Sequence, residues 1–459
     1  MLRNNCIYCS LVVFATKIDV ENVARKEKKM SVWNVKKECC PREELQELQL
    51  EKLKKTVKHA YENVPLYREK MDKIGLKPDD ICTLADIKKI PLTEKKELRG
   101  QYPFKLLAVP MKEIVRIHAS SGTTGQPITA GYTKKDLEIW AECIARIVTA
   151  AGVSDEDIAQ VSFGYSLFTG AFGLHGGLEK VGASIIPISS GNTERQIQIM
   201  ADFGSTVLVS TPSYALYIAE TAERMGMMDK LKLRVGLFGA ESSTEAMRQE
   251  LQKRFSIIAT ENYGLTEVMG PGVAGECNCQ CGMHINEDYF YPEIINPDTL
   301  EPLPLGEEGE LILTTLDKEG QPTLRYRTRD ITHLIQTPCE CGRTTLRLAK
   351  IKGRSDDMLI IRGVNVFPSQ IESVLVETEG IGPHYEIIVS RKNYQDSLEV
   401  KVELIDPTLL DSYTKLEQLH KHIKAELRRV LQLDVKVTVV SPNTLTRFEG
   451  KAKRVTDLR

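Results

Sequence analysis

A run of hydroxyl-bearing residues and glycines follows a predicted strand over residues 115–118. The run consists of Ser120, Ser121, Gly122, Thr123, Thr124 and Gly125. Glycines let the backbone fold tightly and expose its N–H groups, and hydroxyls add donors without fixed charge. Such a loop can surround a polyphosphate, whereas the plainer alternative is a polar surface turn. The absence of a lysine after the second glycine shows that this is not a Walker A loop and argues against a P-loop NTPase.

Thr266 and Glu267 supply a hydroxyl and a carboxylate side by side. Hard oxygen donors of this kind suit Mg²⁺ and the ATP phosphates that it binds. Just upstream, Tyr263 offers a flat ring on which adenine can stack. The pattern predicts a nucleotide site, while burial in the core is the alternative for Tyr263.

Two more segments have residues that suit a nucleoside. Gly239, Ala240 and Glu241 follow a predicted strand, and small residues there would let adenine approach the backbone. Asp330 can accept hydrogen bonds from both ribose hydroxyls, and Arg354 can add a charge-assisted contact. The alternative is a surface ion pair between Asp330 and Arg354, which contributes little to stability.

Five of the eleven cysteines are clustered, namely Cys277, Cys279, Cys281, Cys339 and Cys341. Thiolates and imidazole are the usual ligands of Zn²⁺, and four of them close a structural site. We predict that zinc is bound by Cys277, His284, Cys339 and Cys341, with Cys279 or Cys281 able to replace Cys277. Free thiols on two loops are the alternative.

Short β-rich runs alternate with helical stretches over residues 115–259. The predicted strands span 181–188, 205–210, 233–238 and 257–259, and the predicted helices span 134–151, 194–203, 214–225 and 244–255. This alternation predicts an α/β fold with parallel sheets. Runs over 310–315, 324–327 and 331–335 indicate a more antiparallel section.

The pattern changes beyond residues 353–357. Predicted helices over 367–379 and 413–431, with predicted strands over 385–390, 397–404 and 435–440, indicate a compact α+β domain. A helical segment over 42–69 has an apolar stripe and is predicted to be a packing or dimer element. Residues 1–29 are predicted to be an extension before a start at Met30. Their apolar patch over 9–15 is short for a signal peptide, and Lys17 follows it closely.

The composition excludes several functional classes. The chain has 459 residues, 42% hydrophobic and 27% charged, as expected for a globular protein of two or more domains. A formal net charge of -2 argues against general binding of nucleic acid, and no apolar run is long enough to span a bilayer. Clustered cysteines fit a metal site better than a disulfide framework, so we expect a cytoplasmic protein.

Five motifs in a fixed order carry a resemblance to a known family. They are the phosphate loop, residues 261–267, 326–330 and 353–357, and the pair Gly450-Lys451. Their order and spacing resemble the adenylate-forming superfamily. Residues 163–170, 282–284, 325–330 and 449–455 are similar to the phenylacetate–CoA ligases within it. The resemblance extends over residues 30–459.

This resemblance implies a large N-terminal AMP-binding domain over 30–353 and a small mobile C-terminal domain over 354–459, with Asp356 at the hinge. It implies that Lys451 contacts the reacting carboxylate and the α-phosphate, then leaves when the domain rotates to admit CoA. A solvated basic tail is the alternative for Lys451. The resemblance assigns Lys451, Thr266 and Glu267 to catalysis, and nucleotide binding to residues 120–125, Gly239, Ala240, Glu241, Asn262, Tyr263, Gly264, Asp330 and Arg354.

The implied reaction joins an aryl acid to CoA through an acyl-adenylate, with ATP and Mg²⁺, and releases AMP and pyrophosphate, as in phenylacetate catabolism. Some relatives carry a similar zinc set. Two alternatives stay open: an adenylyltransferase that ignores CoA, like relatives that attach AMP to a deazaflavin, and a degenerate nucleotide-binding protein. Lys451, Glu267 and Asp330 together argue against degeneration.

Aromatic residues near glycines indicate a pocket for the acid. The predicted wall consists of Phe163, Tyr165, Leu167 and Phe168. Gly170 and Gly173 are expected to leave room for a flat ring. A core position is the alternative for any one of them. The choice of acid rests on the resemblance, and phenylacetate, an indoleacetate-like acid, a hydroxylated analogue and a benzoate all stay open.

Overall fold

The fold is described from a computed structural model of the chain. The structure describes residues 31–120, 126–241, 243–355, 359–362, 364–392, 395–448 and 452–459. The predicted extension over 1–29 lies outside these ranges, as do seven predicted site residues: Ser121, Gly122, Thr123, Thr124, Gly125, Asp356 and Lys451. No helix within the described ranges is long and apolar enough to cross a membrane.

Helices occur in both halves of the chain. The α-helices of the described ranges are α1 (Val35–Glu38), α2 (Arg42–Asn63), α3 (Pro65–Asp72), α4 (Lys95–Arg99), α5 (Lys134–Ala150), α6 (Thr169–Val181), α7 (Thr193–Phe203), α8 (Pro212–Arg224), α9 (Glu245–Phe255), α10 (Pro368–Glu377) and α11 (Tyr413–Leu431). Local signals start several of them. Thr133 caps α5 by accepting a hydrogen bond from the Asp136 N–H, and Pro212 begins α8, where an N–H would have no helical partner.

Strands dominate the middle and the end of the chain. They are β1 (Arg116–Ala119), β2 (Thr129–Tyr132), β3 (Ile158–Val161), β4 (Ser184–Ile186), β5 (Val207–Ser210), β6 (Val235–Gly239), β7 (Ile258–Leu265), β8 (Gly270–Glu276), β9 (Met283–Ile285), β10 (Phe290–Ile295), β11 (Gly309–Thr315), β12 (Tyr326–Thr332), β13 (Leu334–Ile335), β14 (Arg347–Leu348), β15 (Gly353–Arg354), β16 (Leu359–Ile361), β17 (Val364–Val366), β18 (Ile381–Lys392), β19 (Gln395–Leu404), β20 (Lys436–Val440) and β21 (Val455–Asp457).

A nine-stranded sheet forms the centre of the larger part, in the order β13-β14-β9-β8-β7-β6-β5-β3-β4. The strands from β4 to β7 in this order run parallel, and the rest of the sheet is antiparallel. Helices α6 to α9 alternate with the parallel strands, as crossovers between parallel strands require. The strands β5 and β6 are buried along their whole length because helices cover both faces. The predicted α/β class is confirmed.

A second, antiparallel sheet lies next in the chain, in the order β10-β11-β12-β15. Its last pairing sets Asp330 of β12 opposite Arg354 of β15. The predicted antiparallel section is therefore confirmed, although the predicted strands over 324–327 and 331–335 overlap one longer strand, β12. This sheet brings together two residues predicted to bind the nucleoside.

The C-terminal part has a hydrophobic core of its own that begins at Leu359. Its sheet has the order β20-β19-β18-β21, with α10 and α11 packed against each other beside it. The sequence pattern does not predict the last strand, β21, and a basic tail is the alternative there. In the structure Val455 packs against this core and Arg454 donates to the Glu372 carboxylate. The domain division at residue 353 stays a prediction.

Several predicted boundaries are wrong for identifiable reasons. The strand predicted over 181–188 is shorter because α6 continues to Val181 and ends at Gly182, which has a φ of +95°. The strand β7 extends beyond 257–259 because its second half pairs with β8. The segment over 42–69 forms two helices, since Pro65 starts α3. The helix predicted over 413–431 is confirmed.

Candidate active site and metal centre

Gly239 and Asn262 lie opposite each other at the last pair of the parallel ladder between β6 and β7. The Asn262 Nδ2 donates to the Phe238 carbonyl over 2.8 Å. A Cβ atom at Gly239 would come within 2.6 Å of the Asn262 carbonyl oxygen, so a larger residue would push the strands apart. These residues therefore shape the ends of parallel strands, which is where such sheets bind ligands.

The turn between β7 and β8 presents Thr266 and Glu267. Gly264 lets the two strands close, because a Cβ atom there would lie 1.9 Å from the Gly270 carbonyl oxygen. The Thr266 hydroxyl oxygen lies 3.2 Å from that of Thr169, at the start of α6. Glu267 is buried. A hydroxyl and a carboxylate are thus held side by side at the end of the sheet.

Two lysines that no sequence motif singles out contact this turn. Lys95 Nζ lies 3.2 Å from Glu267 Oε1. Lys318 Nζ donates to the Val268 carbonyl over 2.7 Å. Burial lowers the pKa of Lys318 to about 8, although the charges of Asp136 and Glu267 oppose this shift. No spacing in the sequence marks either lysine, since only folding brings them to the turn.

The Asp330 carboxylate contacts both Tyr263 and Arg354, and all three residues are predicted to bind the nucleoside. The Tyr263 hydroxyl donates to Asp330 Oδ2, and Arg354 Nη1 lies 3.7 Å from Oδ1. Burial, followed by the charge of Asp330, raises the pKa of Tyr263 well above its usual value, so the phenol stays protonated. Tyr263 therefore orients Asp330 through its hydroxyl, a contact that a stacking role alone does not predict.

Glu241 has protein donors on both carboxylate oxygens. The Ser213 N–H donates to Oε1 over 2.7 Å, and the Ala452 N–H donates to Oε2 over 3.1 Å. Ala240, with a φ of +69°, turns the chain sharply after β6. The segment predicted to face adenine thus also binds the C-terminal part, at the residue that directly follows Lys451.

The strand before the phosphate loop contacts the aromatic segment over 163–168. Ser120 Oγ accepts a hydrogen bond from the Ile128 N–H over 2.9 Å, which joins the two sides of the loop base. The Leu167 carbonyl accepts from the Ala119 N–H over 2.9 Å and lies 3.1 Å from His118 Nδ1. The base of the phosphate loop therefore lies beside the predicted acid pocket.

Phe163, Tyr165 and Phe168 differ in their environments. Phe163 and Tyr165 pack partly buried against the main core, whereas Phe168 is 48% exposed. The Tyr165 hydroxyl lies 2.9 Å from His175 Nδ1, and its ring meets Phe172 edge-on at 5.2 Å between centroids. Phe163 and Tyr165 are therefore both held against the main core, whereas Phe168 faces outwards.

The two glycines of this segment have different roles. The nearest atom to a Cβ at Gly170 would be in the Phe163 side chain, at 3.8 Å, so space beside that ring is preserved. At Gly173 a Cβ would lie 2.5 Å from the Trp140 ring. The expectation that Gly173 leaves room for a substrate ring is wrong, because Trp140 of α5 fills that space.

The four predicted zinc ligands converge. Cys277, His284, Cys339 and Cys341 are buried, and their ligand atoms all lie within 4.8 Å of one another. The Cys277 and Cys339 sulfurs are 3.7 Å apart, and Cys341 Sγ is 3.2 Å from His284 Nε2. A tetrahedron with Zn–S bonds of about 2.3 Å has edges of about 3.8 Å. The chemistry and the size of the cluster therefore fit zinc.

Cys281 and Cys279 lie beside this cluster. Cys281 Sγ is 3.5 Å from Cys339 Sγ, but Cys281 is exposed and Arg347 donates to both its sulfur and its carbonyl oxygen. Cys279 packs against the cluster only partly buried. Of the alternatives left open by the sequence, the geometry favours Cys277 as the fourth ligand.

The histidine of the cluster is oriented by a second contact. His284 Nδ1 lies 3.3 Å from the Thr345 hydroxyl, which directs Nε2 towards the thiols, an arrangement common for metal-binding histidines. Hydrogen bonding by Cys277, and then by His284, lowers the pKa of Cys341 in spite of its burial. The thiolate is the form that binds metals.

Comparison with known proteins identifies the family. The AMP-binding enzyme family matches residues 17–315, and the AMP-binding enzyme C-terminal domain family matches residues 363–459. The phenylacetate-coenzyme A ligase of Escherichia coli (strain K12) is 50% identical over 420 residues, which cover 91% of this chain and 95% of that enzyme. The chain belongs to the phenylacetate–coenzyme A ligases.

A phenylacetate-coenzyme A ligase from a second bacterium is also similar to this chain. The enzyme of Thermus thermophilus is 44% identical over 437 residues, covering 92% of this chain and 98% of its own length. Phenylacetate–coenzyme A ligases use an acid, ATP and CoA as substrates, in agreement with the AMP-binding families that match both parts of the chain.

This phenylacetate–coenzyme A ligase family member is also similar to 2-hydroxyisobutyryl-CoA ligase. In the postadenylation state with R3-HIB-AMP, that enzyme is 27% identical, with a TM-score of 0.88 over 94% of both chains. In the thioesterification state with 2-HIB-AMP and CoA it is 28% identical, with a TM-score of 0.69 over 92% of this chain and 91% of that one. The chain is therefore more similar to the postadenylation structure than to the thioesterification structure.

Proposed function

We propose that the chain joins phenylacetate, or a close arylacetate, to CoA through an acyl-adenylate, with ATP converted to AMP and pyrophosphate. The observation that carries the proposal is the 50% identity to a phenylacetate-coenzyme A ligase over 95% of that enzyme's length. The convergence of Tyr263, Asp330 and Arg354 at one side of the strand ends supports the nucleotide-binding half of the proposal.

In the first half-reaction an oxygen of the acid attacks the α-phosphorus of ATP. The new O–P bond forms as the bond to pyrophosphate breaks, and negative charge concentrates on the phosphoryl oxygens. The ammonium of Lys451 offsets this charge, while Asp330 accepts hydrogen bonds from the ribose and residues 120–125 donate to the phosphates. The hydrogen bond from Ala452 to Glu241 supports the role of Lys451, because it keeps the neighbouring residue at the strand ends.

Mg²⁺ fits the turn between β7 and β8. Glu267 offers a buried carboxylate beside the Thr266 hydroxyl, and Mg²⁺ prefers hard oxygen ligands that it shares with phosphates and water. When bound, the ion neutralises phosphate charge. Lys95, which contacts Glu267 in the protein alone, orients the carboxylate that would bind it.

In the second half-reaction the CoA sulfur attacks the acyl carbonyl carbon and AMP leaves. We expect the C-terminal domain to rotate about Asp356 between the two half-reactions, so that Lys451 leaves and the thiol enters. The two states of 2-hydroxyisobutyryl-CoA ligase support this proposal, because one enzyme is described in both a postadenylation and a thioesterification state.

The acid's ring is proposed to lie against Phe163 and Tyr165, in the space that Gly170 preserves. Phe168, which faces outwards at the start of α6, would contact it at the pocket entrance. Flat aromatic walls favour an aryl group over a short aliphatic chain. Phenylacetate and its close analogues are therefore the acids that this segment fits best.

A structural zinc ion is proposed at Cys277, His284, Cys339 and Cys341. Four protein ligands leave no open position for a substrate, so the ion would stabilise and not react. It would join the segment after β8 to β9 and to the loop between β13 and β14. Zinc there would rigidify the antiparallel end of the central sheet, beyond the turn that presents Glu267.

A homodimer and a cytoplasmic location stay predictions. The apolar stripe of α2 lies within its own chain, where Leu45, Leu53 and Val57 are buried. A dimer built on α2 would therefore use its polar face. Light scattering of the purified protein tests the dimer, and a mass near twice 51.5 kDa is the expected result.

The decisive experiment is AMP release from ATP with and without CoA, across a panel of aryl and short aliphatic acids. Turnover with phenylacetate or a close arylacetate, lost when CoA is omitted, is the expected result. Pyrophosphate release without CoA consumption would indicate an adenylyltransferase instead. Binding of ATP without turnover of any acid would contradict both.

A further inference from the structure

An acidic residue and a histidine meet across the boundary between the two parts of the chain. Glu220 lies on α8 of the N-terminal part, and His384 lies on β18 of the C-terminal part. His384 Nε2 is 3.1 Å from both carboxylate oxygens of Glu220. The side chains are only 13% and 26% exposed, for His384 and Glu220 respectively. Water therefore screens this contact less than an exposed ion pair.

An arginine of the C-terminal part faces the same carboxylate. Arg447 Nε lies 3.9 Å from Glu220 Oε2, and Arg447 Nη2 donates to Glu403 over 2.7 Å. Burial raises the pKa of Glu220, but the hydrogen bond with His384 and the charges of His384 and Arg447 lower it further than burial raises it. Glu220 is therefore charged, and both of these neighbours come from the other part of the molecule.

Hydrogen bonds connect the helix that carries Glu220 to the segment that follows Lys451. The Ser213 N–H, in the first turn of α8, donates to Glu241, and Glu241 also accepts from the Ala452 N–H. Ser213, His384 and Ala452 line one cavity between the two parts. One helix thus carries both Glu220 and Ser213, so it contacts β18 directly and is connected to Ala452 through Glu241.

The orientation in which these contacts form is the one that resembles the postadenylation state. The TM-score is 0.88 against 2-hydroxyisobutyryl-CoA ligase in that state and 0.69 in the thioesterification state, at similar coverage. Each part of this chain has its own hydrophobic core. A contact between two such bodies contributes free energy mainly to their relative orientation, not to the fold of either.

We propose that Glu220 and His384 form a latch, assisted by Arg447, that holds the C-terminal domain in the adenylation orientation. Both are positioning residues, because they act on Lys451 through the orientation of its domain and do not touch the substrates. The latch rests on the proposed function, since it assigns a role in one of the two half-reactions. Opening it is the step that releases the domain for thioester formation.

The test compares E220Q with E223Q. Glu223 lies on the same helix, but its cationic partner, Arg254, is in the N-terminal part, at 3.5 Å. Adenylation is measured as acid-dependent ATP–pyrophosphate exchange without CoA, and thioester formation is measured with supplied acyl-adenylate and CoA. We expect E220Q to slow exchange about tenfold, within the usual range for coupling between sites, and to leave thioester formation unchanged or faster. E223Q is expected to match the wild type in both.

Variants at His384 provide the reciprocal test. Gln in H384Q can still donate to Glu220, whereas H384A cannot, so H384Q is expected to recover most of the exchange that H384A loses. E220Q combined with H384A should be no slower than the slower single variant, because both remove the same contact. Additive losses would mean that the two residues act separately, which overturns the latch.

A readout without turnover separates this proposal from the proposed function. Hydrogen–deuterium exchange over residues 381–386 and 445–448 is expected to rise in E220Q and to stay at the wild-type level in E223Q. If the wild type makes no acyl-adenylate from any acid, the proposed function fails, while amide exchange still decides whether the contact restrains the domain. The latch would be overturned if E220Q and E223Q had the same ratio of adenylation rate to thioester-formation rate and also the same amide exchange.

Discussion

The cysteine–histidine cluster and the proposed nucleotide site are built in contrasting ways. The cluster has its four ligand atoms within 4.8 Å, on buried residues of the N-terminal part alone. The residues of the proposed nucleotide site include Asp330, Thr266 and Glu241, and the Ala452 N–H that binds Glu241 comes from the C-terminal part. A closed set of ligands suits an ion that stays, whereas an open set shared by two domains suits substrates that enter and leave.

The charged side chains of the two regions also differ in how far they are buried and how closely they contact their partners. In the proposed nucleotide site Lys95 and Arg354 are 36% and 30% exposed, and each lies more than 3 Å from its carboxylate partner. In the cluster, His284 and Cys341 are buried and in direct contact. We therefore expect changes at the nucleotide site to alter turnover, and changes at the cluster to alter stability.

The largest effect is expected for Lys451→Ala. Loss of the ammonium should slow adenylation about 100- to 1000-fold, because the charge that concentrates on the phosphoryl oxygens in the transition state would no longer be offset by Lys451. Thioester formation from supplied acyl-adenylate should remain. The measurement is single-turnover kinetics of each half-reaction, with Lys453→Ala, an exposed lysine of the same segment, as the control. Equal losses in both half-reactions would contradict the role of Lys451.

The next effect is expected for Asp330→Asn. An amide loses the charge that strengthens hydrogen bonds to the ribose, and a charge-assisted bond contributes about 1.5–3 kcal/mol, so KM for ATP should rise roughly 10- to 100-fold. Tyr263→Phe removes only the hydroxyl that orients Asp330 and should raise KM for ATP less. Steady-state kinetics with varied ATP measure both. A larger effect of Tyr263→Phe would show that Tyr263, not Asp330, makes the principal contact.

Removing a ligand of the cysteine–histidine cluster should lower stability and leave turnover almost unchanged, the reverse of the two changes above. Cys341→Ala is expected to lower bound zinc from about one ion per chain to almost none, and to lower Tm by on the order of 10 °C, as loss of a tightly bound ion would. Turnover at 25 °C should stay within about threefold. Metal analysis and thermal melts measure this, with Cys82→Ala, an exposed thiol away from the cluster, as the control. Metal-free wild type in fresh, reduced protein would refute the site.

The smallest effect is expected for Tyr165→Phe. The ring stays and only the hydrogen bond to His175 is lost, about 1 kcal/mol, so KM for phenylacetate should change up to about fivefold. Tyr165→Ala removes the wall as well and should raise KM further. Kinetics with varied acid distinguish the two variants. If Tyr165→Ala binds phenylacetate as well as the wild type, the acid lies elsewhere.

Residue types and local spacing determined much of this protein. Hydroxyls and glycines before residue 126, the pair Thr266 and Glu267, and the thiols near residues 280 and 340 each indicate a chemistry that those side chains can do. Alternating strands and helices predict the parallel sheet, because hydrophobic periodicity and turn residues are local signals that can be read within a few residues. The order of the motifs carried the family resemblance, and the comparisons confirm it.

Only the tertiary structure decided which distant residues meet. Lys95 reaches Glu267, Trp140 fills the space at Gly173, and Glu241 binds Ala452, although nothing in their local sequence indicates these contacts. Glu220 and His384 are 164 residues apart. Such contacts depend on how helices pack on a sheet and how two domains face each other. Those arrangements are set by the sum of many burial terms and not by any short pattern.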